Sequence, residues 1–427
     1  MPNVNKIKLE GEHYDIEDTQ ARNDAYQAMI AASEAIDLVN NIIDPPDPPD
    51  PPPVGANFYG VRWYKTTSLT TLERIQDAAG MTFSPSVGAA AGRSDFDDVY
   101  PWSGIKLCLV VNGAPAYYQG DPGFTLTPAA GDIMAEIPAY YYQVVESALH
   151  RDYVICDLDP STNPAPDGFV LSPRHMATPG NPAGWDKIYA SAYTLNSSYR
   201  SISGNASIVS IDRPTARAGC RNRGTQYQLY DYATYCTIWM LYLVEVANWD
   251  SQIAIGPGYT DAANTAQINT GGADSVAWHS GRASGNAIAA RNAVKYRGME
   301  NLWGNIWTWC DGINFNDSTI YVNLNPATYA DGSAAGNALV YAKATANGFI
   351  KSLGFDPTFP FAQICVDATG ADGTFVSDYY YQSTAWRALF LGGYWANAGS
   401  AGLFYFYSNN LASYVYTRIG ARLLVLP

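Results

Sequence analysis

The alternation of apolar and polar residues predicts short strands along most of the chain and one long buried helix near its middle. Residues 60–64, 106–111 and 132–145 are predicted strands, bounded by Gly, Pro and Asn turns. Residues 230–249 contain no Gly or Pro and are apolar on most faces, with Asp231 placed to cap a buried helix. Residues 72–79 are predicted as a short helix. One buried helix among many short strands indicates an α+β fold.

The first 43 residues are predicted to attach and oligomerise the protein. Residues 6–9 and 13–16 alternate around Gly11, which predicts a hairpin. Apolar residues then recur at spacings of four and three, the period of a short coiled coil: Ala25, Met29, Ala32, Ile36, Val39 and Ile43. A single amphipathic helix docked on its own domain is the alternative. The proline-rich linker 44–55 predicts a polyproline-II spacer that reaches roughly 30 Å.

Composition favours a binding protein and argues against a nucleic-acid partner. Aromatic residues make up 13% of the chain, charged residues only 15%, and 32 residues are tyrosine, which is usual for surfaces that bind by stacking and burial. The net charge of −14 would repel a nucleic-acid backbone. Residues 1–10 lack a signal-peptide core, and the longest apolar run, 236–246, is too short to span a bilayer. We therefore expect no export, no membrane insertion, and six buried free thiols rather than three disulfides.

The chain lacks the sequence motifs of common catalytic and metal sites. No HExxH, GxSxG or P-loop pattern occurs, and His279 is predicted to be a surface residue of a Ser/Gly loop. Asp367 and Asp378 flank a Gly-rich loop whose oxygens suit calcium, although Asp/Gly turns without metal are commoner. We expect no cofactor, with calcium as the open alternative.

Two stretches of sequence resemble a known family. Residues 297–312 contain an N-x-W-G-N-x-W-x-W pattern, and residues 386–395 with 419–423 look like an R-G-G-x-W … G-x-R pair. In this order they resemble the formylglycine-generating-enzyme branch of the C-type lectin fold. The resemblance covers most of residues 56–427.

The resemblance also implies a division into domains and a source. It implies a β-rich neck over residues 56–130 and a C-type lectin-like ligand-binding domain over residues 131–427. Three further stretches look like tail proteins of phages of gut bacteria: residues 6–22, 100–104 and 136–140. The implied location is the phage tail of the virion after synthesis in the bacterial cytoplasm, with the N-terminus bound to other tail proteins.

Some members of this branch are variable proteins of diversity-generating retroelements, phage major tropism determinants among them. Their C-terminal residues hold hypervariable positions, made by mutating adenines, within a fixed frame. A mutated AAC codon becomes NNC, which cannot encode Glu, Lys, Gln, Met or Trp, and residues 387–427 contain none of these except Trp395. The resemblance therefore implies a candidate variable region at 386–427 and a homotrimer.

Tyrosines recur along this terminal segment among Ala, Ser, Asn and Gly. Tyr405 and Tyr407 would share one face of a strand, as would Tyr414 and Tyr416, while Phe404 and Phe406 would face the core. Tyr with Ser and Asn is the composition of antibody paratopes, although tyrosines on an ordinary sheet are the alternative. We expect a solvent-facing ligand-binding surface formed by Tyr394, Ala396, Asn397, Ala398, Ser400, Tyr405, Tyr407, Asn409, Asn410, Tyr414, Tyr416 and Arg418.

Neighbouring residues are predicted to be structural. The three tryptophans of the first motif are expected in the core: Trp303, Trp307 and Trp309. Arg387 and Arg422 are expected to form buried or half-buried ion pairs. Formylglycine generation requires closely spaced cysteines near the C-terminus, and none follows Cys365.

We therefore expect a non-enzymatic tail-tip protein that binds a host-cell surface receptor. The alternatives are a structural tail or baseplate subunit and a cell-encoded variable ligand-binding protein.

Overall fold

The computed structural model describes residues 55–284, 293–339 and 342–427, and two short strands near the N-terminus. These strands, β1 (Lys6–Leu9) and β2 (Glu12–Asp15), pair antiparallel within the first of two units, Met1–Gly55. The predicted coiled coil and most of the proline-rich linker lie outside the described residues. The second unit spans Ala56–Pro427 and contains the candidate site.

The second unit is mainly β, and most of its strands belong to four sheets. Strand numbers follow the order of the chain. The five-stranded sheet contains, in spatial order, β13 (Val170–Leu171), β11 (Tyr141–Glu146), β12 (His150–Cys156), β3 (Phe58–Tyr64) and β4 (Glu73–Gln76). The six-stranded sheet contains β15 (Tyr227–Leu229), β29 (Leu423–Val425), β14 (Lys187–Ser191), β10 (Asp132–Pro138), β8 (Lys106–Val111) and β9 (Ala114–Tyr118).

The eight-stranded sheet carries most of the terminal segment. Its strands are β21 (Asn337–Ala338), β20 (Thr319–Val322), β19 (Trp307–Asn316), β26 (Trp386–Leu391), β27 (Phe406–Asn410), β25 (Tyr379–Gln382) and β22 (Gly348–Phe349), with β28 (Ile419–Gly420) beside β19. The smaller sheets are β18 (Met299–Glu300), β17 (Val294–Tyr296), β16 (Gly281–Arg282) and β6 (Ser86–Val87), then β23 (Ser352–Asp356) with β24 (Phe359–Asp367), and β5 (Phe83–Ser84) with β7 (Arg93–Ser94).

The described residues also form three α-helices, and an aspartate directly before each helix caps it. They are α1 (Arg213–Arg221), α2 (Tyr232–Val246) and α3 (Ser251–Ala254), capped by Asp212, Asp231 and Asp250. Every residue of α2 is buried, which confirms the predicted central helix. It ends where Ala247 adopts a left-handed conformation. None of the described helices is long and apolar enough to cross a membrane.

The cap of α2 also belongs to a buried ion pair. Asp231 Oδ1 accepts a hydrogen bond from the backbone N–H of Thr234 at 2.8 Å. Its other oxygen accepts from Arg174 Nη1 and from the Tyr329 hydroxyl, each at 2.8 Å. Both charged side chains are fully buried, so each depends on the other for neutralisation.

Two sequence predictions of local structure are wrong. Residues 72–79 form no helix, because Glu73–Gln76 pairs as β4 with the open edge of β3. A helix of that length is marginal by itself, so strand pairing determines the local structure. The predicted strand 132–145 divides at residues 139–140 into β10 and β11, which belong to different sheets.

The predicted neck does not form a separate body. Strand β3 pairs with β12, and β8 pairs with β10, so residues 56–130 supply strands to sheets completed by later residues. Both segments lie in the same compact unit. The division at residue 130 has no counterpart in the sheet pairing.

The eight-stranded sheet separates two buried cores. Alternate residues of β26 point to opposite sides: Leu389 and Leu391 join the core around α2, while Phe390 joins the core beside α1. Phe404 and Phe406 pack in the α2 core, as predicted. The three motif tryptophans are buried as predicted: Trp303, Trp307 and Trp309. All six cysteines are buried free thiols, also as predicted.

The predicted ion pairs of Arg387 and Arg422 are absent from the described residues. Arg422 is buried and donates to the carbonyls of Ser191 at 3.1 Å and Asn301 at 2.8 Å, and to that of Glu300. Burial lowers the pKa of Arg422 to about 10. Arg387 donates to the Trp386 carbonyl and to a serine hydroxyl. Backbone carbonyls therefore take the place of a carboxylate at Arg422, whereas Arg387 has one carbonyl and one hydroxyl partner and its buried Nε has no partner among the described residues.

Replacing Glu300 with glutamine is expected to flatten the pH-dependence of stability. Burial raises the pKa of Glu300 from 4.5 to about 7, although hydrogen bonds from the Ala273 and Gly271 amides oppose the shift. The stability that protonated Glu300 contributes to the free energy of unfolding is therefore fully present below about pH 4.5 and is lost as the pH rises through about 7. Urea denaturation of both proteins between about pH 5 and about pH 8 measures this. Parallel pH profiles for wild type and Glu300→Gln would contradict the expectation.

Candidate functional site

The terminal segment and β25 together form a partly exposed aromatic surface on the eight-stranded sheet. We call it the tyrosine surface and define it as Tyr379, Tyr381, Tyr394, Tyr407, Tyr414, Tyr416 and Arg418. Its side chains are half-buried, except that Tyr416 is 38% exposed. The surface borders the core beside α1, against which most of its rings pack.

The centre of the tyrosine surface is set by strand register. Strands β25 and β27 run parallel with Tyr381 opposite Tyr407, and their ring centroids lie 4.7 Å apart. Tyr379 lies two residues from Tyr381 on the same face, at 4.5 Å. Tyr407 also stacks on buried Phe390 at 5.2 Å with the planes 14° apart. The sheet backbone therefore fixes these rings before any ligand arrives.

The outer part of the surface is connected by an arginine. The guanidinium carbon of Arg418 lies 4.2 Å from the ring centroid of Tyr394 and 5.1 Å from that of Tyr416, within cation–π range. Arg418 also donates to the Tyr394 hydroxyl. Tyr416 stacks on Tyr414 at 6.0 Å. No carboxylate of the described residues pairs with Arg418, so its charge remains available to a partner.

The surface offers hydrogen-bond donors at neutral pH. Burial raises the pKa of the Tyr381 and Tyr407 hydroxyls above the ordinary value. Both hydroxyls therefore remain protonated and can donate as well as accept.

The prediction that Tyr405 belongs to the solvent-facing site is wrong. Its side chain is fully buried, although Tyr407, two residues on, reaches the surface. The ring lies 6.1 Å from that of Tyr381 and 6.3 Å from that of Tyr407, which stacks on it. Alternation assigned the correct side of the sheet, but that side is itself covered at Tyr405 by the core beside α1.

Replacing Tyr405 with phenylalanine is expected to stabilise the protein by about 1 kcal/mol. No hydrogen bond of good geometry reaches its buried hydroxyl among the described residues, although the Trp307 side chain lies close enough to act on it as a weak donor. A buried hydroxyl without a well-formed bond costs about 1–3 kcal/mol. Tyr405→Ala is the control and should lose about 3–5 kcal/mol by leaving a cavity. Denaturant unfolding measures both changes, and a clear loss of stability in Tyr405→Phe would mean that the hydroxyl is bonded.

The loop 394–400 uses several predicted contact residues to hold its own shape. Asn397 Oδ1 accepts from the Tyr394 amide at 2.8 Å, closing a tight turn. Ala398 has a φ of 50° and donates its amide to the Thr260 carbonyl at 2.7 Å. The remaining predicted residues are half-buried beside these rings: Ala396, Ser400, Asn409 and Asn410. Asn397 and Ala398 therefore position Tyr394.

Tyr379 and Tyr381 are functional candidates that the sequence pattern of the terminal segment did not predict. They precede the terminal segment by several residues, and only the parallel pairing of β25 with β27 brings them beside Tyr407. A signal was present, because in the run 379–381 only the middle residue, Tyr380, is expected on the opposite face. Tyr380 is indeed fully buried in the α2 core.

The carboxylates considered for calcium have structural partners. Asp367 accepts from the amide and hydroxyl of Thr369, while buried Asp378 accepts from the Phe404 amide at 2.6 Å. Burial, followed by the nearby charge of Asp250, raises the pKa of Asp378 well above its usual range. The described residues contain no group of three or more His, Cys, Asp or Glu side chains arranged to hold a metal ion.

His279 is not the simple surface residue predicted. Its Nε2 lies 2.8 Å from Asp97 Oδ1 and its Nδ1 lies 2.9 Å from Ser280 Oγ. Burial lowers the pKa of His279. The side chains of Ser280, His279 and Asp97 form a hydrogen-bonded row. Ser280 is nevertheless fully buried and its hydroxyl accepts from the Arg297 amide, so this serine presents no nucleophile to a cleft.

The tyrosine surface is not part of the cavity that the described residues form between β11 and the β23–β24 hairpin. That cavity, of about 790 Å³, is lined by residues of β11, β23 and β24 and by adjacent loops. The aromatic rings instead form a broad patch, a shape suited to contact with a macromolecule.

No protein-family model matches the chain, and no curated protein matches it. Among solved structures it is similar to the Major Tropism Determinant P3c variant, with 14% identity over 88% of this chain and 73% of that one, and a TM-score of 0.27. It is also similar to the Major Tropism Determinant U1 variant, with 12% identity over 86% and 82% of the two chains and a TM-score of 0.27. These TM-scores do not establish a shared fold, so we base the functional proposal on the tyrosine surface.

Proposed function

We propose that the protein is a phage tail-tip receptor-binding protein that contacts a host-surface ligand through the tyrosine surface. The observation that carries the proposal is a row of half-buried tyrosines held by the eight-stranded sheet. Beside them lies Arg418, which has no ion-pair partner in the part of the chain that the structure describes. Such rings contribute large contact area at a low cost in conformational entropy.

The rigidity of the surface supports specific binding. Tyr407 is fixed between Tyr381 and Phe390, and Tyr394 lies 4.5 Å from buried Trp307. Side chains already held in one rotamer lose little further freedom when a ligand binds. A firmly positioned patch of this kind is pre-organised for a partner.

Its charge supports a partner that accepts hydrogen bonds or carries negative charge. Residues 387–427 contain no Asp or Glu, and Arg418 lies among neutral tyrosines. Arginine and tyrosine are the residues enriched at binding hot spots.

The finer parts of the proposal follow from the sequence resemblance. We propose that the second unit is a C-type lectin-like domain, that residues 386–427 are diversified by a retroelement, and that three copies assemble in the virion. The N-terminal unit then binds the tail, and several copies of one weak site act together with high avidity. We propose further that binding requires no cofactor and that the protein catalyses no reaction. The names of the two similar tropism determinants agree with this proposal, but its support comes from the tyrosine surface.

Competition for adsorption tests this function. The purified full-length chain should bind cells of the phage host and reduce adsorption of virions when added first. Antibody against the chain should decorate the tail tip in electron micrographs. If the antibody detects the chain in tails but the chain neither binds cells nor competes, the protein would be a structural subunit. A chain that binds cells but is missing from virions would indicate a cell-encoded binding protein.

A further inference from the structure

A second cleft lies apart from the tyrosine surface and has the chemistry of a ligand site. It has a volume of about 420 Å³, within the range of about 300–1,000 Å³ typical of small-molecule sites. It lies between the β8–β9 edge of the six-stranded sheet and the β17–β18 hairpin. Its lining includes Lys106, Tyr118, Asp274, Trp278 and Lys295, and none of these residues belongs to the tyrosine surface.

Two aromatic side chains supply apolar area to this cleft. Trp278 is half-buried, and its ring centroid lies 3.8 Å from that of His279 and 6.0 Å from that of Phe83. The Tyr118 hydroxyl donates to Glu136 at 2.8 Å, which fixes the second ring. The Lys106 ammonium lies 5.9 Å from the Tyr118 ring centroid. Both rings are therefore held in place by neighbours.

The polar side chains of the cleft retain hydrogen-bonding capacity. Lys295 Nζ donates to the Val276 carbonyl at 3.0 Å, and an ammonium carries three protons. Asp274 accepts from the hydroxyls of Tyr193 and Ser203, and a carboxylate has about four acceptor positions. Both a donor and an acceptor thus border the same space.

Charged side chains that border the cleft have carboxylate partners, and some of these partners lie outside the cleft. Asp274 and Glu300 are the carboxylates whose charge acts on Lys295. Arg297 pairs with Glu245 at 2.5 Å and with Asp97 at 3.0 Å. A ligand with a net charge would meet attraction and repulsion together, whereas a neutral ligand with paired donors and acceptors would meet neither.

We propose that this cleft binds a neutral saccharide ring. Each sugar hydroxyl both donates and accepts, so adjacent hydroxyls match the Lys295 ammonium and the Asp274 carboxylate. The C–H face of the ring packs on Trp278 or Tyr118, whose faces are apolar and electron-rich. The site is independent of the tyrosine surface and does not require the receptor-binding proposal.

Saturation-transfer NMR on the full-length chain tests this site. The probes are free glucose, galactose, mannose and N-acetylglucosamine. N-acetylneuraminic acid is the charged comparison observed in the same way, and inorganic phosphate, which carries no C–H proton, is added as a competitor. At least one neutral sugar should receive saturation, and its dissociation constant should be at least tenfold lower than that of phosphate. Absence of signal from all four neutral sugars, or stronger binding of either charged probe, would overturn the proposal.

Variants assign the signal to the cleft. Trp278→Ala should weaken sugar binding at least tenfold, and so should Asp274→Asn, with circular dichroism showing that each variant is folded. Because Asp274 also bonds two hydroxyls, the exposed Lys106→Ser provides a variant that keeps the fold, with an expected weakening of at least threefold. The matched control Tyr416→Ser should bind sugar as wild type does. Unchanged binding in Trp278→Ala and Lys106→Ser, or lost binding in Tyr416→Ser, would place the sugar elsewhere and contradict the assignment.

Discussion

The double variant Tyr414→Ser/Tyr416→Ser is expected to bind host cells at least about 100-fold more weakly than the wild-type chain. Truncating a hot-spot tyrosine costs about 2 kcal/mol or more, the values are not additive, and about 100-fold corresponds to about 2.7 kcal/mol. The two rings stack on each other, and Arg418 lies over Tyr416, so their loss removes the outer part of the tyrosine surface.

The fold should survive this double substitution, with a loss of no more than about 1–2 kcal/mol, because Tyr416 is 38% exposed. Tyr117→Ser is the matched control, since Tyr117 is 42% exposed on β9 and outside the surface. Binding of fluorescently labelled full-length chain to host cells measures both. Equal binding by the double variant and the control would refute a role for these rings.

Asp231→Ala is expected to destabilise the second unit by more than about 3 kcal/mol. The substitution leaves Arg174 buried without its ion-pair partner, which costs about 3–5 kcal/mol, and it removes the cap of α2, worth about 1 kcal/mol. Since domains are stable by only about 5–15 kcal/mol, we expect a large fall in the denaturation midpoint.

Asp212→Ala provides a close comparison for Asp231→Ala. Asp212 caps α1 by accepting from the Thr215 amide at 2.9 Å, but it has no ion-pair partner among the described residues. Its removal should cost only about 1 kcal/mol. Urea denaturation followed by tryptophan fluorescence measures both, and similar losses in the two variants would show that the buried pair contributes little.

Local sequence signals predicted the elements that depend least on distant partners. The helix after Asp231 and the strand 106–111 follow from their own apolar patterns and turn residues. Within the predicted helix 72–79, Glu73–Gln76 forms a strand because it pairs with β3, and the segment itself does not encode that pairing. The pairing of residues 56–130 with later strands is likewise invisible to a local pattern, because it depends on sheet topology.

The candidate site was predicted in outline for the same reason. Spacing of two correctly grouped Tyr405 with Tyr407, but periodicity assigns a face and does not say how far a core extends beneath it. Tyr379 and Tyr381 required knowledge of the parallel pairing of β25 and β27. The lack of an ion-pair partner for Arg418 among the described residues likewise required the structure, although residues 387–427 contain no Asp or Glu.

Hydroxyl-radical footprinting of virions, before and after host envelopes are added, tests the tyrosine surface most directly. We predict that Tyr414 and Tyr416 are labelled in free virions and protected once envelopes bind, whereas labelling of Tyr117 is unchanged. Labelling of Tyr414 and Tyr416 that is already absent in free virions, or that persists after attachment, would contradict the claim that this surface meets the host.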